Sequence, residues 1–286
     1  MKIKSIFLLP LTLGLTARNK EESLSQDGLP VNAVHITATV GNPFATTHTN
    51  PVGTAEEQAK FNSGDKILVE MVSNNYKKID YQYDGGKWMP VKSKHHLWAN
   101  NNETFIARYP IDKYGDAVYR AQENQSTLEK ITKSDLMVAR IINASKGETL
   151  NFVMLRLTSR IIVNIAGFNP EFPTDSKVKD VMIVKSYAYS SNCHEYIPYL
   201  QGDGGKNSKC TLLLEPNGGG SVSSSYFDSF ISLKVGEKEM RSPNLPDMDE
   251  GKSYTFNLIV GKEKLEIESV AVADWSTSNV LEGGKF

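Results

Sequence analysis

Tyr76, Tyr81, Tyr83, Trp88 and Trp98 lie close together in the chain, and aromatic rings of this kind stack on the apolar faces of pyranose sugars. A candidate glycan platform would use Tyr81, Tyr83, Trp88 and Trp98. Aromatics that alternate along a hairpin also serve as cross-strand pairs or sandwich core, and that plainer role is the expectation. His95 and His96 are adjacent, so on a strand they point to opposite faces and cannot chelate one metal together. A solvated loop is expected there. Asp247, Asp249 and Glu250 follow Pro246 and could approach a calcium ion, but they lack the glycine and distal glutamate of a helix-loop-helix site. They are expected to form a solvated turn.

Cys193 and Cys210 are the only cysteines. Outside the cytoplasm they form a candidate disulfide worth about 3 kcal/mol; the alternative is two separate thiols. Zinc is disfavoured because His194 is the only imidazole near them. No Gly-x-Ser-x-Gly elbow, phosphate-binding glycine loop or His-Glu-x-x-His helix occurs, and no carboxylate pair stands out for glycoside hydrolysis. No catalytic, cofactor-binding or metal-binding residue is therefore assigned, no cofactor is expected, and the chain reads as a non-enzyme.

The elements that would position these residues are strands. Val34, Ile36, Ala38 and Val40 alternate with polar residues and mark the first one. Further strands are expected at 66–72, 104–109, 136–142, 181–189, 209–214 and 229–235. A hairpin spans 76–88 around Asp84-Gly85-Gly86, whose glycines supply positive φ. Residues 150–165 read as one bent or bulged strand, and short helical turns are expected near 54–60 and 128–133. Between Gly251 and Trp275, two half-buried strands meet at a tight turn. The alternation of the second slips at Ser269, a change of phase that a bulge or a fully covered strand would allow.

The chain has 286 residues, enough for two sandwich cores, and a composition shift at 143–148 suggests where they divide. The expected fold is all-β, with an N-terminal sandwich over 31–145 and a C-terminal one over 146–286. Lysine and arginine total 32 against 33 acidic residues, a net charge of −1, so no nucleic-acid partner is expected. Lys2 and Lys4, an apolar run from Ile6 to Leu15, and small Thr16 and Ala17 give residues 1–18 the order of an export signal. Residues 19–30 read as a flexible tether. Leu15-Thr16-Ala17 is followed by Arg18 where a lipoprotein has cysteine, so membrane contact is expected only if the chain is lipidated, which Arg18 does not allow.

Several segments, in order, resemble the fimbrillin-like surface proteins of the Bacteroidetes. They are Ile36-Thr-Ala-Thr-Val40, Asn62-Ser-Gly-Asp-Lys-Ile-Leu-Val69, Trp88-Met-Pro90, Phe105-Ile-Ala-Arg-Tyr-Pro110, Asp135-Leu-Met-Val-Ala139, Tyr254-Thr-Phe-Asn-Leu258 and Val270-Ala-Val-Ala-Asp-Trp275. Where the family often has a histidine within the segment matching 150–160, this chain has Arg156.

The resemblance implies two tandem transthyretin-like, Greek-key β-sandwiches and a fimbrial or fimbria-associated surface subunit, as stalk, tip or anchor. It implies partners among other fimbrial subunits, assembly by β-strand addition, a contribution to adhesion through a surface glycan or protein, and a place at the cell surface, outer membrane or fimbrium. Leu265, Ile267, Val270 and Val272 are the candidate donor strand. Val34, Ile36, Ala38 and Val40 are the candidate removable first strand. No arginine lies between Arg18 and Arg108, so an arginine-directed protease cannot release that strand alone, although Lys60 offers a cut. The alternative function is a monomeric surface carbohydrate-binding protein.

Overall fold

In the computed structural model of the chain, residues 29–41, 51–53, 60–73, 75–92, 94–187, 193–216, 227–275 and 280–281 are described. The expected export signal, nearly all of the tether and all but the last residue of the turn near 54–60 lie outside them. The fold is all-β, as expected from the period-two patterning, with one short helix among the described residues.

The first half holds β1 (Ile36–Val40), β2 (Lys66–Met71), β3 (Lys77–Tyr83), β4 (Trp88–Pro90), β5 (Asn102–Tyr109), α1 (Leu128–Thr132), β6 (Met137–Ser145) and β7 (Leu150–Arg156). Its strands form one sheet in the order β1-β7-β6-β5-β2-β3-β4. The β6–β7 link consists of two pairs, Met137↔Arg156 and Val138↔Leu155. Inward residues of β1 and β7 share one core with those of β2, β3, β5 and β6, so the sheet closes over itself. The predicted hairpin is β3–β4; Gly85 at φ +100° supplies the turn, and the Asp84 carboxylate accepts the Gly86 and Lys87 amides.

The second half holds β8 (Ser159–Phe168), β9 (Val178–Tyr187), β10 (Cys193–Tyr196), β11 (Tyr199–Gln201), β12 (Lys209–Leu214), β13 (Phe227–Val235), β14 (Lys238–Arg241), β15 (Lys252–Val260), β16 (Leu265–Asp274) and β17 (Val280–Leu281). Two sheets, ordered β10-β9-β13-β14 and β11-β12-β8-β15-β16-β17, enclose a second core from Ile161 to Val270. The tight turn between β15 and β16 requires glycine at 261, because a Cβ there would lie 2.5 Å from the Lys264 carbonyl. Of the two explanations for the phase slip, the bulge is the one present. Asn257 pairs with Ser269 and Leu258 with Ile267, leaving Glu268 extra.

Residues 150–165 are two strands in different sheets, not one bent strand. The reason is parity: Leu150, Phe152, Met154 and Arg156 face the first core, whereas Ile161, Val163 and Ile165 face the second. At the crossing the Leu157 amide donates to Leu136 and the Thr158 carbonyl accepts from Gly251, one bond to each half. The division expected at 145/146 instead meets the β6–β7 turn, and the chain changes sheets at Leu157 and Thr158.

Candidate assembly surface

The first strand is an edge strand. β1 runs parallel to β7, with Ile36 to Val40 opposite Leu150 to Met154. Val34, Ile36 and Val40 are buried and Ala38 packs against the same core. Both ends are clasped. Before the strand, the Val34 amide donates to His96 at 2.8 Å and the Trp98 amide to Asn32 at 3.0 Å; after it, the Gly41 amide donates to Met154 at 2.8 Å. Each buried aliphatic side chain contributes about 1.5–3 kcal/mol, so β1 is a plug of modest strength that covers one side of the first core.

The candidate donor residues are not on a free segment. Leu265 and Val270 lie in the second core, and Ile267 and Val272 pack against it. They belong to β16, which pairs with β15 along its length because its alternating apolar residues complete that core. On its other edge β17 meets only Val272 and Ala273. Ile267 and Val270 of β16, with Pro243, Leu245 and Pro246, line a groove of about 480 Å³.

The two halves join through polar groups that sequence reasoning missed. Arg156 Nε lies 2.9 Å from Asp135 Oδ1, and Nη2 lies 3.1 Å from Oδ2, both side chains being buried. The Arg156 guanidinium also sits 4.2 Å above the Trp275 ring, and that of Arg160 lies 5.2 Å from it. Burial, then the neighbouring Arg156 charge, lowers the Arg160 pKa to about 10. Farther along the seam, buried Gln125 imitates a strand: Nε2 donates to the Leu213 carbonyl at 2.7 Å and Oε1 accepts the Leu213 amide at 2.9 Å. Its own amide donates to Ile197 at 2.8 Å. Ile131, Leu213 and Trp275 form a small apolar cluster there. One signal was available: Arg156 occupies an inward position of β7, and a charge at such a position demands a buried partner.

A sequence model of the fimbrillin-like family matches residues 49–275. The chain belongs to the fimbrillin-like family. Its role is accordingly fimbrial or related to adhesion, with exposure at the cell surface and assembly with other fimbrial subunits. Among solved structures, a candidate cell adhesion protein from Bacteroides ovatus is similar, with a TM-score of 0.58 and 13% identity over 86% of this chain and 99% of the other. A second candidate cell adhesion protein, from Bacteroides uniformis, has a TM-score of 0.54 and 14% identity over 88% and 99%. At these identities the likeness concerns the fold. No curated protein matches the chain.

The remaining sites expected from sequence look different in this fimbrillin-like fold. Tyr81, Trp88 and Trp98 are buried and Tyr83 packs against the same core, so the glycan platform is not formed. Trp88 meets Phe61 edge-on at 4.9 Å and Trp98 meets Phe105 at 5.5 Å, because alternation carries these rings inward. Tyr76 is the exposed member, 57% accessible. Cys193 is exposed on β10, while Cys210 is buried on β12 in the opposing sheet. The candidate disulfide is not formed, and burial pushes the Cys210 thiol up to about 12.

His96 is fully buried, contrary to the expected solvated loop, and His95 is half-buried. Residues 96–98 bond to the approach of β1, which turns one of the two adjacent rings into the core. The Asp249 amide donates to the Tyr254 hydroxyl at 2.9 Å and its carbonyl accepts from Ser159. Among the described residues, no three His, Cys, Asp or Glu side chains converge as metal ligands do, and no helix is long and apolar enough to cross a membrane.

Proposed function

We propose that this fimbrillin-like chain is a non-enzymatic subunit of a surface fimbria, or of an adhesive structure attached to one, and that it joins its neighbours by strand addition. The observation that carries the reading is the construction of β1: an edge strand among the described residues, parallel to β7, whose side chains fill the first core from outside. Displacing it would leave an unpaired edge on β7 and vacant apolar positions where Val34, Ile36 and Val40 sat. An extended segment with the same alternation meets both needs.

The sheets favour dividing the chain into two units at Leu157 and Thr158, with the Arg156 and Gln125 contacts holding them in register. Export before assembly accords with the N-terminal 1–18 pattern. The lack of arginine between Arg18 and Arg108 favours a terminal or accessory position over that of a proteolytically opened stalk. β16 could donate only by leaving a sheet in which it is already paired, so a donor is sought beyond it, in residues 276–286. The carbohydrate-binding alternative loses its support with the burial of Trp88 and Trp98.

Electron microscopy of surface filaments with gold-labelled antibody against this chain tests the proposal. Label on shafts or ends is the expected result. Filaments that stay unlabelled, and are unchanged in cells lacking the gene, would overturn it.

A further inference from the structure

His96 ties the first strand to two others from a fully buried position. Its carbonyl accepts the Val34 amide at 2.8 Å, on the approach to β1. Its amide donates to the Tyr81 hydroxyl of β3 at 3.1 Å, and its Nε2 lies 2.9 Å from the Val69 carbonyl of β2. A carbonyl only accepts, so Nε2 carries the proton and Nδ1 is left as a lone pair. Among the described residues that buried Nδ1 has no hydrogen-bond partner, and neither does the buried Nδ1 of His95. A second proton on His96 therefore enters a site with no acceptor for it.

The surrounding charges do not help. Those acting on His96 are Lys77 at the start of β3 and His95, and both oppose a positive ring; on His95 the acting charge is His35, just before β1. Glu70 of β2 is engaged by Arg108 and Lys78. Lys78 also meets Asp116, and Asp80 of β3 is under the influence of Lys92 and Lys66. The buried Glu103 of β5 accepts two bonds from Asn100, both at Oε1, and its Oε2 has no partner among the described residues. The inward residues of β7 up to Met154 are apolar.

We propose that His96, with His95 beside it, forms an acid-sensitive latch: while both rings are neutral β1 stays docked, and protonation of His96 releases it from the first core while the second core stays folded. Burial holds His96 down at about 4, against 6.5 for an imidazole in water. Its folded value is depressed, so its contribution is complete above 6.5 and is lost as pH falls toward 4. From pH 7 to pH 4.5 the opening equilibrium of β1 rises by about fiftyfold. The latch does not rest on the assembly proposal, since β1 would open in acid even in a protein that forms no filament.

Amide hydrogen exchange read by mass spectrometry, with rates corrected for the intrinsic effect of pH, tests this on the full chain. Peptides covering residues 33–40 lose about fiftyfold of their protection between pH 7 and 4.5, while those from β8 and β15 keep theirs. His96→Gln retains a donor for the Val69 carbonyl but does not titrate, and it flattens the response. Three results would overturn the latch: protection of β1 that ignores pH, loss of β1 and β15 together, or an unaltered response in the variant. Should the variant not fold, the His96 ring of the native chain is titrated by nuclear magnetic resonance. A midpoint near 4 supports the latch and one near 6.5 defeats it.

Discussion

Arg156 and Asp135 form a buried ion pair, Nε to Oδ1 at 2.9 Å, at the point where the chain passes from one core to the other. The same guanidinium covers Trp275, the last residue of the family match, and so connects the end of the first sheet to the end of the second. Removing one partner strands the other charge without water. Asp135→Asn or Arg156→Met is expected to cost about 3–5 kcal/mol in chemical denaturation. The double variant Asp135→Leu with Arg156→Met regains much of that loss, because no buried charge is left unpaired.

Gln125 holds the other part of the seam. Its side chain satisfies both backbone groups of Leu213, and Gln125→Ala leaves a buried amide and a buried carbonyl without partners. The expected cost is about 2–4 kcal/mol. Since this contact links the halves, calorimetry of the variant should resolve two unfolding transitions closer to independence than those of the native chain.

Trp88 and Trp98 separate core from platform. Truncating a fully packed tryptophan costs about 3–5 kcal/mol, so Trp88→Ala and Trp98→Ala should each lower the denaturant midpoint sharply. A surface platform would instead lose its ligand and keep its stability. Variants as stable as the native chain would place these rings outside the core.

Thiol chemistry checks the two sheets. Cys193, exposed, should react quickly with an aromatic disulfide reagent, while Cys210, buried and pushed up to about 12, reacts only after unfolding. Intact mass without reductant should show two free thiols. A mass lower by two hydrogens would mean that β10 and β12 approach far more closely than this fold allows.

Much of the architecture was legible because burial on one face of a strand leaves a period of two. β1, the β3–β4 hairpin, β5 and the β15–β16 pair carry that pattern openly, and even the bulge at Glu268 shows as a slip in phase. Short strands such as β10, β11 and β14 did not show, since four residues or fewer hold too little alternation. The crossing at Leu157 and Thr158 was hidden for another reason: the break in the apolar pattern between Leu155 and Ile161 is short, and only the change of parity across it marks the change of sheet. Contacts between the halves left less trace still. Nothing local to Gln125 says that it will meet Leu213, and His96 looked like half of an exposed polar pair until β1 supplied the strand that covers it.

The proposal of assembly by strand addition depends most directly on β1 being exchangeable. A protease site is introduced in the sequence between β1 and β2, the folded protein is cut there, and light scattering then follows molecular mass. The account predicts that the cut protein exchanges β1 for a labelled peptide of residues 31–41 and grows into oligomers when a donor subunit is supplied. A cut protein that keeps its own β1 and remains a monomer in the presence of donor would contradict it.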